Sequence, residues 1–303
     1  MEKEEFYKEA QFYKEENGMI RCSLCPHNCL IKENEVGLCK VRKAISAFGE
    51  LKLYTLNYGN LTSAQIDPIE KKPLSEFYPG SKILSVGSFG CNFTCSFCQN
   101  YSISQERPHT QEITPEELAN IVCTTKDNLG VAFTYNEPSI WYEFVYETSK
   151  IIKEMDSSKK VVIVTNGYIS EEPLKKLLPF VDAMNVDLKG DDCYYKRLCT
   201  GRISPVKNTI KLAKEFGVHV EITTLLVPGE NTNDEFLKDL SEFIKRIDKN
   251  MPLHLSRYFP RYKMEKDLTS LSEMKEAYKS LSLNLNNIYL GNLSEGEKKY
   301  ILN

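Results

Sequence analysis

Between residues 82 and 282 the chain alternates six apolar, strand-like runs with six helical stretches, and this alternation restricts the fold more than any other feature. The runs are 82–88, 131–135, 160–165, 182–188, 218–227 and 252–258. The helical stretches are 114–128, which opens with the capping signal TPEE, then 138–155, 170–178, 205–216, 232–249 and 269–282. Strands joined through helices run parallel, with right-handed crossovers. Six such units fall short of the eight that close a full barrel, so the expected fold is α/β, a partial (β/α)6 TIM-like barrel over 81–303. In folds of this kind the site lies at the C-terminal ends of the strands.

The expected strand ends carry chemistry. The first is followed by GCNFTCSFCQN, which spaces Cys91, Cys95 and Cys98 as C-x3-C-x2-C. Three thiolates are one short of the four that close a [4Fe–4S] cluster, so one iron would keep an open position. The second strand ends in Tyr135, Asn136, Glu137 and Pro138, and the third in Thr165, Asn166, Gly167 and Tyr168. The fourth ends in Asp187, Leu188, Lys189 and Gly190, the fifth carries Thr223 and Thr224, and the sixth His254 and Arg257. Any one of these polar residues reads equally well as a turn or cap. Their recurrence at successive strands describes a ligand site with both donors and acceptors.

Ahead of the barrel, residues 1–65 read as a small cysteine-rich domain, and 66–80, with three prolines, as an ordered connector. The Glu- and Lys-rich stretch 2–16 suits a surface helix, and 45–58 a strand pair turning at Gly49. Between them Cys22, Cys25, Cys29 and Cys39 follow C-x2-C-x3-C-x9-C in a segment with little apolar content, which a bound metal would order. Four thiolates close a coordination shell, so this second metal site is either zinc or an auxiliary [4Fe–4S] cluster. His27 lies within the loop as an alternative ligand, while Cys123, Cys193 and Cys199 stand outside both arrays as buried or incidental thiols.

The net charge of −3, with Lys and Arg dispersed, argues against nucleic acid as a partner. There is no run of 18 apolar residues, and the N-terminus is charged where a secretory leader would be apolar. The expectation is a cytoplasmic protein with no membrane association, whose ten cysteines are chiefly metal ligands and not disulfides.

C-x3-C-x2-C with an aromatic, Phe97, before the last cysteine resembles the signature of the radical S-adenosylmethionine (SAM) superfamily. The resemblance implies that Cys91, Cys95 and Cys98 ligate a [4Fe–4S] cluster whose open iron binds SAM, that Phe97 contacts the adenine, and that a flavodoxin or ferredoxin supplies electrons. Asn136 and Glu137 lie where the family has a Gly-Gly-Glu-like segment for the SAM amino group. Asp187-Leu188-Lys189 and Val227-Pro228-Gly229 resemble D-L-K and V-V-P-G segments of the pyruvate formate-lyase activating enzyme branch. The implied SAM contacts are then Asn136, Glu137, Asn166, Asp187 and Lys189, with Lys189 also catalytic, and His254 or Arg257 reaching the ribose or carboxylate.

The longer segments C-x-L-C-P-x-x-C-x-I, D-P-I-E-K-K-P-L, G-C-N-F-x-C-x-F-C-Q-N-x-x-I-S-Q and Y-x-G-N resemble the radical SAM member of the AmmeMemoRadiSam system, implying AMMECR-like and Memo-like proteins as partners. The implied function is an activating-enzyme-like oxidoreductase that cleaves SAM reductively to a 5′-deoxyadenosyl radical and takes hydrogen from a protein or peptide, such as the α-hydrogen of a glycine. Two alternatives stand beside it: radical modification of another residue or a small molecule, and a non-catalytic metal-binding adaptor with both arrays filled by zinc.

Overall fold

The structure, a computed structural model, describes residues 7–47 and 49–303. Its centre is an eight-stranded sheet, numbered here from one edge: β1 Ser63–Pro68, β2 Lys82–Gly87, β3 Gly130–Phe133, β4 Lys160–Thr165, β5 Ala183–Asp187, β6 His219–Leu226, β7 Leu253–Arg257 and β8 Ile288–Gly291. Strands β2 to β8 are parallel and neighbours in chain order, while β1 pairs antiparallel with β2. The helices of seven residues or more are α1 Pro115–Thr124, α2 Tyr142–Met155, α3 Glu171–Leu177, α4 Ile203–Glu215, α5 Asp234–Asp248, α6 Leu271–Ser282 and α7 Glu295–Leu302. The six expected strands and six expected helices are all present, so the fold is α/β with the parallel sheet of a partial barrel.

Local chemistry accounts for the element ends. Thr114 and Glu117 form the reciprocal capping box that TPEE forecasts, with Thr114 Oγ1 accepting from Glu117 N–H at 3.2 Å and Glu117 Oε2 from Thr114 N–H at 2.8 Å. Pro138 opens a 3-10 turn, Pro138–Trp141, before α2 begins. Strand β3 is buried throughout, which is why its apolar run shows no alternation.

Three segments depart from expectation. Strand β1 occupies the start of the expected connector: it is an edge strand in which only Asp67 is buried, so its polar sequence reads as loop. The short, half-buried β8 extends the sheet by a seventh parallel strand. The expected helix over 2–16 is replaced, within the described residues, by strands Lys8–Glu9 and Tyr13–Glu16; residues 1–6 lie outside them. Asn17 at φ 54° and Gly18 at φ 71° make a two-residue hairpin turn that pairs Tyr13 with Cys22 and Glu16 with Met19. Pairing with Met19–Cys22 thus outweighs the helical propensity of the Glu and Lys residues. The strand pair expected to turn at Gly49 is present as Arg42–Ala47 and Glu50–Thr55.

Residues 69–77 fill the N-terminal end of the barrel. Ile69, Leu74 and Phe77 pack on Ile83, Ala132, Val162 and Ala183, one residue from each of the neighbouring strands β2 to β5. Asn185 donates to the carbonyl of Pro73 at 2.7 Å, and the N–H groups of Ser75 and Glu76 each donate to Glu221 at 2.9 Å. Glu221 is fully buried and also meets His219 Nε2 at 2.9 Å and His254 Nε2 at 2.6 Å.

Burial alone would raise the Glu221 carboxyl pKa, but His219, His254 and the two backbone N–H groups outweigh it and hold it at about 2. A depressed folded-state pKa means the stabilisation is complete above the unfolded value near 4.5 and is lost as pH falls toward 2. We expect wild type to lose about 3 kcal/mol more than Glu221→Gln between pH 5 and pH 2. Urea melts of the two proteins across that range provide the check; parallel pH curves would contradict it. Using the difference between the proteins cancels the other titrating groups and any loss of bound metal.

Candidate active site

The loop after β2 is shaped by the elements around it. Asn136, at the end of β3, accepts from Ser88 N–H and donates to the Gly90 carbonyl, both at 3.1 Å, so its amide brackets the backbone just before Cys91. The N–H groups of Thr94 and Ser96 donate to the carbonyls of Cys199 and Leu198 at 3.2 and 3.1 Å. Those carbonyls belong to a wide π-type turn, Tyr195–Cys199, that follows β5. Gly201 allows the approach: a Cβ there would stand 2.4 Å from the Phe93 ring.

Cys91, Cys95 and Cys98 are gathered closely enough for each to feel charge on another. Cys91 Sγ accepts from Phe93 N–H at 3.3 Å and lies 3.7 Å from Asn166 Nδ2, while Cys98 Sγ and Ser104 Oγ are 3.2 Å apart. Burial raises the thiol pKa values of Cys91 and Cys98. That of Cys95 is lowered, first by its hydrogen bond with Cys199 and then by the nearby Lys189 ammonium. Lys189 Nζ is 2.6 Å from Asp187 Oδ2; burial opposes its charge, but Asp187 and the sulfurs of Cys95 and Cys199 outweigh that and keep it an ammonium.

This donor set fits an iron–sulfur cluster. Hydrogen-bond donors reach sulfur and one cation balances the thiolate charge, the surroundings that tune cysteine-ligated clusters. Among the described residues no three His, Cys, Asp or Glu side chains are grouped to hold a single metal ion.

Glu137, 1% exposed, accepts from Thr165 Oγ1 at 2.6 Å, Ser139 N–H at 2.9 Å and Asn166 N–H at 2.8 Å, tying the end of β3 to that of β4. Burial raises its pKa, against those donors. Asn166 also donates to Asn92 Oδ1 at 2.8 Å. Phe97 is buried beside Tyr194, ring centroids 5.8 Å apart. Six of the residues singled out in the sequence at strand ends or beside the cysteines thus converge on the loop at Cys91: Phe97, Asn136, Glu137, Asn166, Asp187 and Lys189.

The other two sit elsewhere. His254 is engaged with Glu221 and stacks on Tyr289 at 5.3 Å. Arg257, three residues on, occupies the opposite face of β7 and binds Glu297 of α7 at 2.9 Å and the Thr269 carbonyl at 2.6 Å. His27 donates from Nε2 to the Asn92 carbonyl at 2.7 Å.

Two neighbours of the thiols have no role assigned from the sequence: Cys199, which reads there as a buried or incidental thiol, and Tyr194, which no motif marks. Cys199, fully buried, hydrogen-bonds Cys95 across more than a hundred residues of chain, whereas Cys123 is half-buried and Cys193 exposed. Tyr194 is buried with an unpartnered hydroxyl close to Cys95, Cys199 and Lys189. No local spacing signals either residue; only the fold brings the turn after β5 onto the loop after β2.

Residues 85–241 match the sequence profile of the Radical SAM superfamily. An uncharacterized protein of Methanocaldococcus jannaschii is 41% identical over 98% of this chain and 89% of its own length. The 4-hydroxyphenylacetate decarboxylase activating enzyme of Clostridium scatologenes is 26% identical over 50% of this chain and 53% of that enzyme. Among solved structures, a radical SAM methyltransferase from Sphaerobacter thermophilus shares the fold with a TM-score of 0.56, at 18% identity over 73% of this chain and 69% of that one. No helix among the described residues is long and apolar enough to cross a membrane.

Proposed function

Because this chain belongs to the radical SAM superfamily, we propose that it cleaves SAM reductively and uses the resulting radical to take a hydrogen atom from a protein or peptide substrate, in the manner of an activating enzyme. The observation that carries the reading is the convergence of Cys91, Cys95 and Cys98 after β2 with the Lys189–Asp187 pair after β5, 2.6 Å apart, beside Cys95. When bound on three thiolates, a [4Fe–4S] cluster would supply the one electron that splits SAM into methionine and a 5′-deoxyadenosyl radical. Cys91, Cys95 and Cys98 would be its ligands.

Each remaining residue has a task that follows from its bonds. Lys189, held by Asp187, offsets thiolate charge and offers a cation to a carboxylate, while Asp187 offers an acceptor to an ammonium. Phe97 supplies an apolar face for the adenine. Asn166 donates toward Cys91, and Asn136 and Glu137 act by holding the strand ends that aim the loop. We assign no SAM contact to His254 or Arg257, whose polar atoms are engaged away from the cysteines.

The partial likeness to a named activating enzyme supports a protein substrate, and the resemblance of the Asp187–Lys189 and Val227–Gly229 segments to the pyruvate formate-lyase activating enzyme branch supports a glycine α-hydrogen as the target. The segments quoted above support membership of the AmmeMemoRadiSam system, and so AMMECR-like and Memo-like proteins as the first partners to assay. After anaerobic reconstitution with iron and sulfide, dithionite and SAM are expected to yield 5′-deoxyadenosine and methionine in equal amounts. A fully reconstituted protein that forms neither overturns the proposal. Deuterium passing from α-deuterated glycine of a candidate partner into 5′-deoxyadenosine would identify the target, and label arriving only from other positions would exclude glycine.

A further inference from the structure

The segment after β5 carries a polar group to which the proposed function gives no task. Tyr194 ends the short helix Asp192–Tyr194, capped by Asp191, whose carboxylate accepts from Tyr194 N–H at 2.7 Å. The residue is 1% exposed, and its hydroxyl is buried with no hydrogen-bond partner among the described residues. Its neighbour Tyr195 shows the usual arrangement: that hydroxyl accepts from Lys189 N–H at 3.1 Å and donates to the Asp187 carbonyl at 3.2 Å. A buried hydroxyl without a partner is costly, so any change that brings it an acceptor is favoured.

Packing fixes where Tyr194 can reach. The base of its ring lies over Gly190, where a Cβ would stand 2.3 Å from Tyr194 Cγ, and the ring lies beside Phe97, centroids 5.8 Å apart. The turn Tyr195–Cys199 begins at the next residue, and its Cys199 and Leu198 carbonyls accept from Thr94 and Ser96, the residues on either side of Cys95. Tyr194 is thereby held against the loop that carries Cys95, where Cys199, Lys189 and Cys95 are the nearest charge-bearing groups. Of these three, Lys189 only donates, which leaves the sulfurs as acceptors.

The other two thiols already have polar side chains beside them, Asn166 Nδ2 at 3.7 Å from Cys91 Sγ and Ser104 Oγ at 3.2 Å from Cys98 Sγ. A neutral thiol is a weak acceptor, which accounts for the idle Tyr194 hydroxyl, whereas a thiolate is a strong one. Cysteine gives up its proton on binding iron. We propose that Tyr194 Oη donates a hydrogen bond to Cys95 Sγ when that sulfur is a cluster ligand, and thereby raises the reduction potential of the cluster.

The inference rests on the cluster assignment under the proposed function and adds a residue to it. A donor to a ligand sulfur stabilises the reduced cluster, which carries one more negative charge, more than the oxidised one. Tyr194 acts through Cys95 and is a positioning residue.

The test compares the full chain with Tyr194→Phe, which removes one oxygen and keeps the ring over Gly190. Both are reconstituted anaerobically, and all readouts are taken without SAM. Equal iron contents are expected. The electron paramagnetic resonance signal to follow is the one that Cys91→Ala/Cys95→Ala/Cys98→Ala lacks. In a redox titration of that signal, Tyr194→Phe is expected to be reduced with an equilibrium constant about tenfold smaller, a potential about 59 mV more negative for one electron. After exchange into deuterated water, pulsed measurements on reduced wild type should show a deuteron coupling that Tyr194→Phe lacks. The metal-free proteins supply a readout that stands even if the variant takes up no iron. With no partner to lose, Tyr194→Phe should melt at or above wild type, and a fall of about 3 °C or more would reveal a protein partner and overturn the inference. Equal potentials at equal iron content overturn it as well, and if wild type also cleaves SAM they overturn it alone. A wild type that holds its cluster and shows the shift against Tyr194→Phe but does not cleave SAM overturns only the proposed activity.

Discussion

Cys95→Ala is expected to reduce 5′-deoxyadenosine formation to the uncatalysed background. Of the three thiols after β2, Cys95 is the one whose surroundings favour the thiolate, through Cys199 first and Lys189 second. Removing it leaves two protein ligands and a buried Lys189 with less negative charge beside it. The fold also supplies a complication that the sequence does not announce: Cys199 lies within hydrogen-bond reach of the vacated position and can stand in as a thiolate. Any residual product from Cys95→Ala should therefore disappear in Cys95→Ala/Cys199→Ala. Cys123→Ala, on α1 away from the site, should match wild type. Chromatographic quantification of 5′-deoxyadenosine under single-turnover conditions gives the answer, and a double variant that still cleaves SAM at the wild-type rate removes Cys95 from the cluster.

The largest expected effect on stability comes from Glu143→Ala. Glu143 and Arg42 are each 1% exposed and 101 residues apart in the chain, and the pair joins the N-terminal strands to α2. Arg42 also donates to the Gln11 carbonyl at 2.7 Å, and Glu143 accepts from Gln11 N–H at 2.8 Å. Removing the carboxylate strands a guanidinium that cannot lose its proton, which costs about 3–5 kcal/mol and lowers the Tm by about 10 °C. Replacing both residues, as Arg42→Met/Glu143→Met, removes the unpaired charge and should recover most of that loss. Calorimetry of the two variants distinguishes the explanations: if the double variant melts no higher than Glu143→Ala, the penalty lies in packing and not in the stranded charge.

The barrel was legible because its signal is local and repeated. Apolar runs of strand length, each followed by an amphipathic stretch with a cap such as Thr114–Glu117, admit few arrangements besides a parallel sheet wrapped in helices. The cysteine array was legible because ligand spacing is itself a local property. Harder to read were β1, whose exposed edge looks like loop, and residues 13–16, where helix-forming residues are drawn into a hairpin by Asn17 and Gly18. Single-strand patterns do not reveal which segment will cover an edge.

The sequence by itself determined the six-fold alternation, the two cysteine arrays, and the placing of polar residues at strand ends, since each depends on spacings of a few residues along the chain. Only the tertiary structure decided which of those polar groups face the thiols. Strand register put His254 against Glu221 and Arg257 on the far side of β7, while the turn after β5 carried Cys199, and no motif, to Cys95. The same packing set Arg42 among four thiols and paired it with Glu143. Burial, charge pairing and face selection are relations between distant segments, and they come into being only when the sheet closes around its core.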